Sequence, residues 1–197
     1  MIAEAVRRSP LAGYAERFAG VFGATGQAVS LREIPFVTQV NLRVDPKESD
    51  LLARLRATLG FELPMMPNTT SGGGDRRALW LGPDEWLLVA PEGQGEALER
   101  DVRDAMAGAV GAIVDVSANR TVLEVGGPGA IELLAQGIPI DLHPRAFRAG
   151  QCAQTLLAKA QVIIERPDKG SSFQIYVRSS FACYVADWLI DASLGLG

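Results

Sequence analysis

The chain has 197 residues, 48% of them apolar and 21% charged, with a net charge of −4. That length serves one domain of ordinary size or two intertwined halves, and this composition excludes wholesale disorder. The acidic balance argues against a nucleic-acid partner, which needs a concentrated basic face; Arg54, Arg56, Arg76, Arg77, Arg145 and Arg148 lie scattered among acids.

A mean hydropathy of +0.13 is slightly apolar, yet no run approaches the roughly 20 residues of a membrane helix. The surplus suits a protein–protein surface, or a large core, better than a membrane. Arg7-Arg8 lacks a following apolar segment, so no secretory signal is expected. Cys152 and Cys183 sit in apolar surroundings and read as two buried free thiols, which fits a reducing cytoplasm.

Residues 1–33 carry five interspersed Gly and Pro punctuators (Pro10, Gly13, Gly20, Gly23, Gly26) and no sustained period, so they read as an arm with one short helix near 14–21. From Phe36 to Leu42 the pattern alternates as a half-buried strand. Asp45-Pro46-Lys47-Glu48 resembles a capped helix start, followed by the stripe Leu51, Leu52, Leu55, Leu59 and a stop at Gly60. Residues 69–75 (TTSGGGD) read as a flexible loop. Strands at 78–81 and 85–90, a helix at 95–107 and a strand at 112–116 complete a first β-α-β-β-α-β half, residues 34–117, in ferredoxin-like order. The second half, 118–197, opens with a strand at 121–125, a Gly-Pro turn and a helix at 128–136. Strands at 153–158, 162–165 and 173–177 follow. The closing helix carries Phe181, Tyr184, Val185, Trp188, Leu189 and Ala192 on one face. The fold class expected is α+β, two ferredoxin-like units packed into one body.

Candidate chemistry is sparse. His143 is the sole histidine, has no accompanying nucleophile motif, and suits a turn in Asp141-Leu142-His143-Pro144. One histidine and two distant cysteines offer no metal-ligand spacing, so no metal is expected. Gly126-Gly127-Pro128-Gly129 stands where a phosphate loop would, but lacks the dinucleotide register; Gly72-Gly73-Gly74 lacks the P-loop lysine. Asp115, Arg120 and Glu124 are the best polar candidates. They could orient a pterin or a substrate acid, or Asp115 and Arg120 could form a salt bridge at the junction of the halves. Trp80, Trp86 and Trp188 suit the core, with interface use open. Asp187 and Asp191 stand near a helix C-terminus, where the dipole disfavours acids unless a cation answers them.

Taken together, Asp115-Val116-Ser117, Gly127-Pro128, Asp141-Leu142-His143-Pro144, Phe147-Arg148-Ala149-Gly150 and Arg178-Ser179-Ser180-Phe181, in that order and spacing, resemble the gamma subunits of heterotetrameric sarcosine oxidase. These are relatives of the folate-binding aminomethyltransferases. The resemblance covers about residues 30–193. It implies the aminomethyltransferase-like fold, with halves that swap strands, and a cytoplasmic protein that works beside alpha, beta and delta subunits. Those partners would hold FAD, FMN, NAD and zinc; this chain would hold no cofactor and no catalytic residue. The complex demethylates sarcosine oxidatively to glycine and passes the one-carbon unit to tetrahydrofolate. Around Cys152 the sequence Gly150-Gln151-Cys152-Ala153-Gln154 lacks the lysine, aromatic and acid of a related folate-dependent motif, which fits a fold whose chemistry has gone. The alternative is a free-standing folate-binding protein or one-carbon transferase using Asp115, Arg120 and Glu124.

Overall fold

The computed structural model describes residues 7–168 and 171–196. In chain order the elements are α1 (Ala15–Ala24), β1 (Ser30–Ile34), β2 (Thr38–Val44), α2 (Ser49–Leu59), β3 (Thr70–Gly73), β4 (Arg76–Gly82), β5 (Glu85–Ala90), α3 (Gly95–Met106) and β6 (Gly111–Asp115). Then come β7 (Arg120–Gly126), α4 (Ala130–Ala135), β8 (Gln151–Leu157), β9 (Ala160–Arg166), β10 (Phe173–Arg178) and α5 (Ala182–Ser193).

Two antiparallel five-stranded sheets result, ordered β3-β4-β5-β2-β6 and β8-β9-β10-β7-β1. The first contains a ferredoxin-like unit, β2-α2-β4-β5-α3-β6, with β3 added at its edge. The second repeats the plan position by position: β8 answers β3, β9 answers β4, β10 answers β5 and β7 answers β2. Its fourth place, beside β7, goes to β1 from the beginning of the chain, with Ser30 opposite Gly126 and Ile34 opposite Val122. The fold is a duplication whose second unit borrows one strand across the first.

The sheets stack face to face with helices outside both. β5 shows why. In Trp86-Leu87-Leu88-Val89-Ala90 successive side chains point to opposite faces. Trp86 and Leu88 pack under α2 and α3 with Leu55, Leu98 and Val102, while Leu87 and Val89 meet Val122, Ile163 and Tyr176 of the other sheet. Both faces are buried, so the strand is an unbroken apolar run. On the far side Leu123, Val125, Ile164 and Ile175 pack against Phe18 of α1, Leu133 of α4 and Val185 and Leu189 of α5. One edge of the sandwich is sewn shut: Thr70 N–H donates to Gly150 O at 2.8 Å and Cys152 N–H to Asn68 O at 3.0 Å.

Several expectations are corrected. The segment 1–33 is no arm where it is described, from residue 7 on: Leu11, Phe18, Val21, Val29 and Leu31 are core residues and β1 is a sheet strand. Its short elements are separated by glycines, and the strand pairs with residues about ninety positions away, so no local period reveals it. Asp45 caps no helix. Its Oδ1 accepts from Lys47 N–H at 2.9 Å in a turn, and α2 begins four residues later, after Glu48. Gly60 does end α2, at φ +82°. The expected loop 69–75 contains β3, an edge strand folded onto β4 around Gly74-Asp75. On α5 the buried face is Ala182, Val185, Ala186, Leu189 and Ser193; Phe181 and Tyr184 stand outside, 44% and 39% exposed. Cys183 is exposed as well, because the helix turns Ala182, Val185, Ala186 and Leu189 toward the sheet and leaves position 183 off that face.

Candidate functional site

Side chains that alternate along β7 to β10 form rows across the inner face of the second sheet. One row runs Arg32, Glu124, Gln174, Glu165, Cys152. The next is Ile34, Val122, Tyr176, Ile163, Gln154. A third begins with Arg120 opposite Arg178, near Gln161 and Leu156. Val122, Tyr176 and Ile163 of the middle row are core; the outer two rows are mostly polar and mark the two ends of the seam between the sheets.

At the first end Arg77 of β4 reaches across the seam. Its Nε donates to Glu165 Oε1 at 2.8 Å and its Nη2 to the Tyr176 hydroxyl at 2.7 Å; Tyr176 in turn donates to Glu165 Oε2 at 2.6 Å. Glu165 and Tyr176 are fully buried. Burial, then the charge of Glu165, holds the Tyr176 phenol well above its ordinary range, and Arg77 only partly offsets this. Burial works against the Arg77 charge, but Tyr176 and Glu165 outweigh it and raise its pKa. A protonated phenol and a charged guanidinium, both already engaged with one carboxylate, tie three strands of two sheets together. Beside them the Gly72-Gly73-Gly74 hairpin, with Pro167 and Asp168, frames a cavity of about 250 Å³. Neighbouring Cys152 is buried too, and burial followed by the Glu165 charge pushes its thiol up to about 12.

The three residues singled out from sequence do not converge. Asp115 Oδ1 accepts from Ser117 N–H at 2.8 Å and shapes the turn out of β6. Glu124 is bound to Arg32 of β1 at 2.6 Å. Arg120 stands at the second end of the seam, and Asp115 is not its ion-pair partner. The junction is held instead by backbone and amides: Gln39 Nε2 donates to Arg120 O at 3.0 Å and Ser117 Oγ accepts from Gln39 N–H at 2.9 Å. Arg120 and Arg178 flank a cavity of about 460 Å³. Burial, then the neighbouring Arg178 charge, lowers the Arg120 pKa.

His143 belongs to a turn: its N–H donates to Asp141 Oδ1 at 2.8 Å, and its Nδ1 accepts from Arg145 N–H at 3.2 Å. Asp187 finds its cation inside the chain, Arg17 of α1 at 2.6 Å, with Tyr14 donating at 3.1 Å. Trp86 donates to Pro64 O at 2.8 Å from full burial. Among the described residues no cluster of three metal-ligating side chains occurs, and no helix is long and apolar enough to cross a membrane. Sequence reasoning missed Arg77 and Glu165. The available signal was a lone acid ending the apolar run Val162-Ile163-Ile164, where a buried charge requires a partner.

Comparison with known proteins agrees along nearly the whole chain. The family described as "Sarcosine oxidase, gamma subunit family" matches residues 43–195. The chain is 43% identical to a sarcosine oxidase subunit gamma from an Arthrobacter species and 42% identical to one from Corynebacterium sp. strain P-1. Each alignment covers 95% of this chain and 90% of the relative. It superposes with a TM-score of 0.85, at 38% identity and over 96% of both chains, on a chain of the heterotetrameric sarcosine oxidase from Corynebacterium sp. U-96, solved in complex with pyrrole 2-carboxylate. The glycine-cleavage aminomethyltransferase T from Bartonella henselae shares the fold, with a TM-score of 0.67 at 16% identity over 94% of this chain and 57% of that one. The family match over residues 43–195 and identities above 40% along nearly the whole chain lead to one conclusion: the chain belongs to the sarcosine oxidase gamma subunit family.

Proposed function

We propose that this chain is a non-catalytic structural subunit of a heterotetrameric sarcosine oxidase, assembling in the cytoplasm with alpha, beta and delta subunits. Those partners hold FAD, FMN, NAD and zinc, and the complex demethylates sarcosine to glycine with one-carbon transfer to tetrahydrofolate. The observation that carries this reading is the match to gamma subunits over 95% of the chain. The state of its reactive groups supports it. Glu165, Tyr176 and Arg77 are bound to one another, Glu124 to Arg32, Asp115 to Ser117, and Cys152 is a buried thiol held protonated. A general base or nucleophile must have a free lone pair within reach of substrate. The pterin reading of Asp115, Arg120 and Glu124 is disfavoured because each serves a different place.

The test is co-expression with and without this chain, followed by native mass and a sarcosine-dependent peroxide assay. The reading expects a stoichiometric flavin-containing complex that fails to assemble when this chain is omitted. Full assembly and turnover without it, or saturable tetrahydrofolate binding by the isolated chain weakened by Asp115→Asn, would overturn it.

A further inference from the structure

The sheet face beyond the Val122–Tyr176 row is uncovered. Val122 and Tyr176 are fully buried, yet one row further Arg178 and Gln161 are exposed and Leu156 is 42% exposed. The first sheet meets the strip at its borders, where Gln154 Nε2 donates to Leu81 O at 2.8 Å and Gln39 Nε2 to Arg120 O at 3.0 Å, and leaves the side chains of Arg178, Gln161 and Leu156 in the open. The uncovered strip therefore presents the inner face of a sheet, a surface built for packing, with two adjacent guanidiniums on it.

Eight arginines among the described residues have a carboxylate within 4.0 Å. Arg120 and Arg178 are not among them, nor are Arg8, Arg54, Arg76, Arg145, Arg148 and Arg166; what distinguishes the first two is that they stand directly opposite each other on paired strands. Like charges in that register repel, and Arg120 is partly desolvated besides, which its lowered pKa reflects. The cavity they share with Leu156, Gln161 and Pro139 is lined by no acid.

We infer that the Arg120–Arg178 strip is a docking surface that receives a carboxylate-bearing segment of a partner subunit. The inference rests on the gamma-subunit reading. A planar fork on each arginine suits bidentate capture of an aspartate or glutamate side chain. The surroundings suit a protein segment better than a small acid, because the strip is open and Leu156 stands on it 42% exposed as an apolar anchor beside the two arginines.

The experiment compares wild type, Arg178→Glu and Arg120→Gln/Arg178→Gln after co-expression with the partner subunits, following retention of this chain in the purified complex from about 50 to 500 mM NaCl. Arg178 is exposed, so its reversal leaves the fold intact, which the melting curve of the free chain checks. The expected result is a stoichiometric wild-type complex and a loss of affinity of roughly tenfold or more in Arg178→Glu, with a changed salt dependence. Equal retention and an unchanged salt curve would overturn the docking site while leaving the gamma-subunit reading standing. Failure of the wild-type chain to join would overturn that reading and the site with it. Stabilisation of the free chain by millimolar succinate or glutamate, lost in Arg178→Glu, would also overturn it, showing a small-molecule site instead.

Discussion

Glu165 owes its place to two hydrogen-bonded partners, Arg77 and Tyr176, and removing one exposes the cost of its burial. Arg77→Ala leaves a fully buried carboxylate without its cation, and a loss of about 3–5 kcal/mol is expected, read from urea denaturation. Replacing Arg77, Glu165 and Tyr176 together by apolar residues of similar volume should cost far less, since no charge is then left inside. A non-additive result marks the network; additive single losses would deny it. The two thiols give a second check at this scale. Cys183 is exposed and Cys152 is not, so a thiol reagent should modify one cysteine quickly, Cys183→Ser should abolish that phase, and Cys152 should react only in denaturant. The Cys152 thiol ionises near 9 when unfolded and near 12 when folded. Its folded pKa is raised, so the stability it contributes is fully present below about pH 9 and is lost as pH rises toward 12. Tyr176 shifts in the same direction, so the midpoint of urea unfolding should fall across that alkaline window.

At the scale of elements, the Gly-Pro turn before α4 is the clamp for the start of the chain. Gly127 has φ +96°, and a Cβ there would lie 2.3 Å from Ala28 O. The close approach lets Gly129 N–H donate to Ala28 O at 2.9 Å, which sets β1 in line with β7. Gly127→Ala combines backbone strain with a clash, and a loss of about 2 kcal/mol or more is expected in thermal or urea melts. Truncation after Pro35 should be worse. It strips an edge strand and α1 from the outer core, so the remaining chain should lose near-ultraviolet dichroism rather than merely fail to assemble. A truncated chain with native melting would mean that the segment is an arm after all. The contrast with α2 is instructive. Its apolar stripe and Gly60 stop act within a few residues, so the pattern is local and legible. β1 and β3 are short, flanked by glycine, and defined by partners on other strands, and no window of neighbouring residues contains that information.

For the whole molecule, the layer between the sheets couples the halves. Leu79, Leu87 and Val89 from one and Val122, Ile163 and Tyr176 from the other form a single buried cluster, so neither sheet can open without exposing the other. Unfolding should be one transition. Trp80 and Trp86 report the first sheet and Trp188 the second unit, so Trp188→Phe should leave the fluorescence midpoint coincident with that by circular dichroism; separated midpoints would make the halves independent. Leu79→Ala, at the centre of the shared layer, should lower stability by about 2–5 kcal/mol in that single transition.

By itself the sequence determined the α+β class, most helices and strands, and the family, because period, composition and motif order are properties of the chain read in one direction. Only the tertiary structure decided that Leu11, Phe18, Val21, Val29 and Leu31 enter the core, that the second unit takes its fourth strand from Ser30–Ile34, that Arg77 meets Glu165, and that Asp115, Arg120 and Glu124 do not meet. Each is a juxtaposition of segments from about fifty to nearly two hundred residues apart or a choice of face for one side chain. Such choices are made by the summed burial of two sheets packed together, which no local stretch of residues encodes.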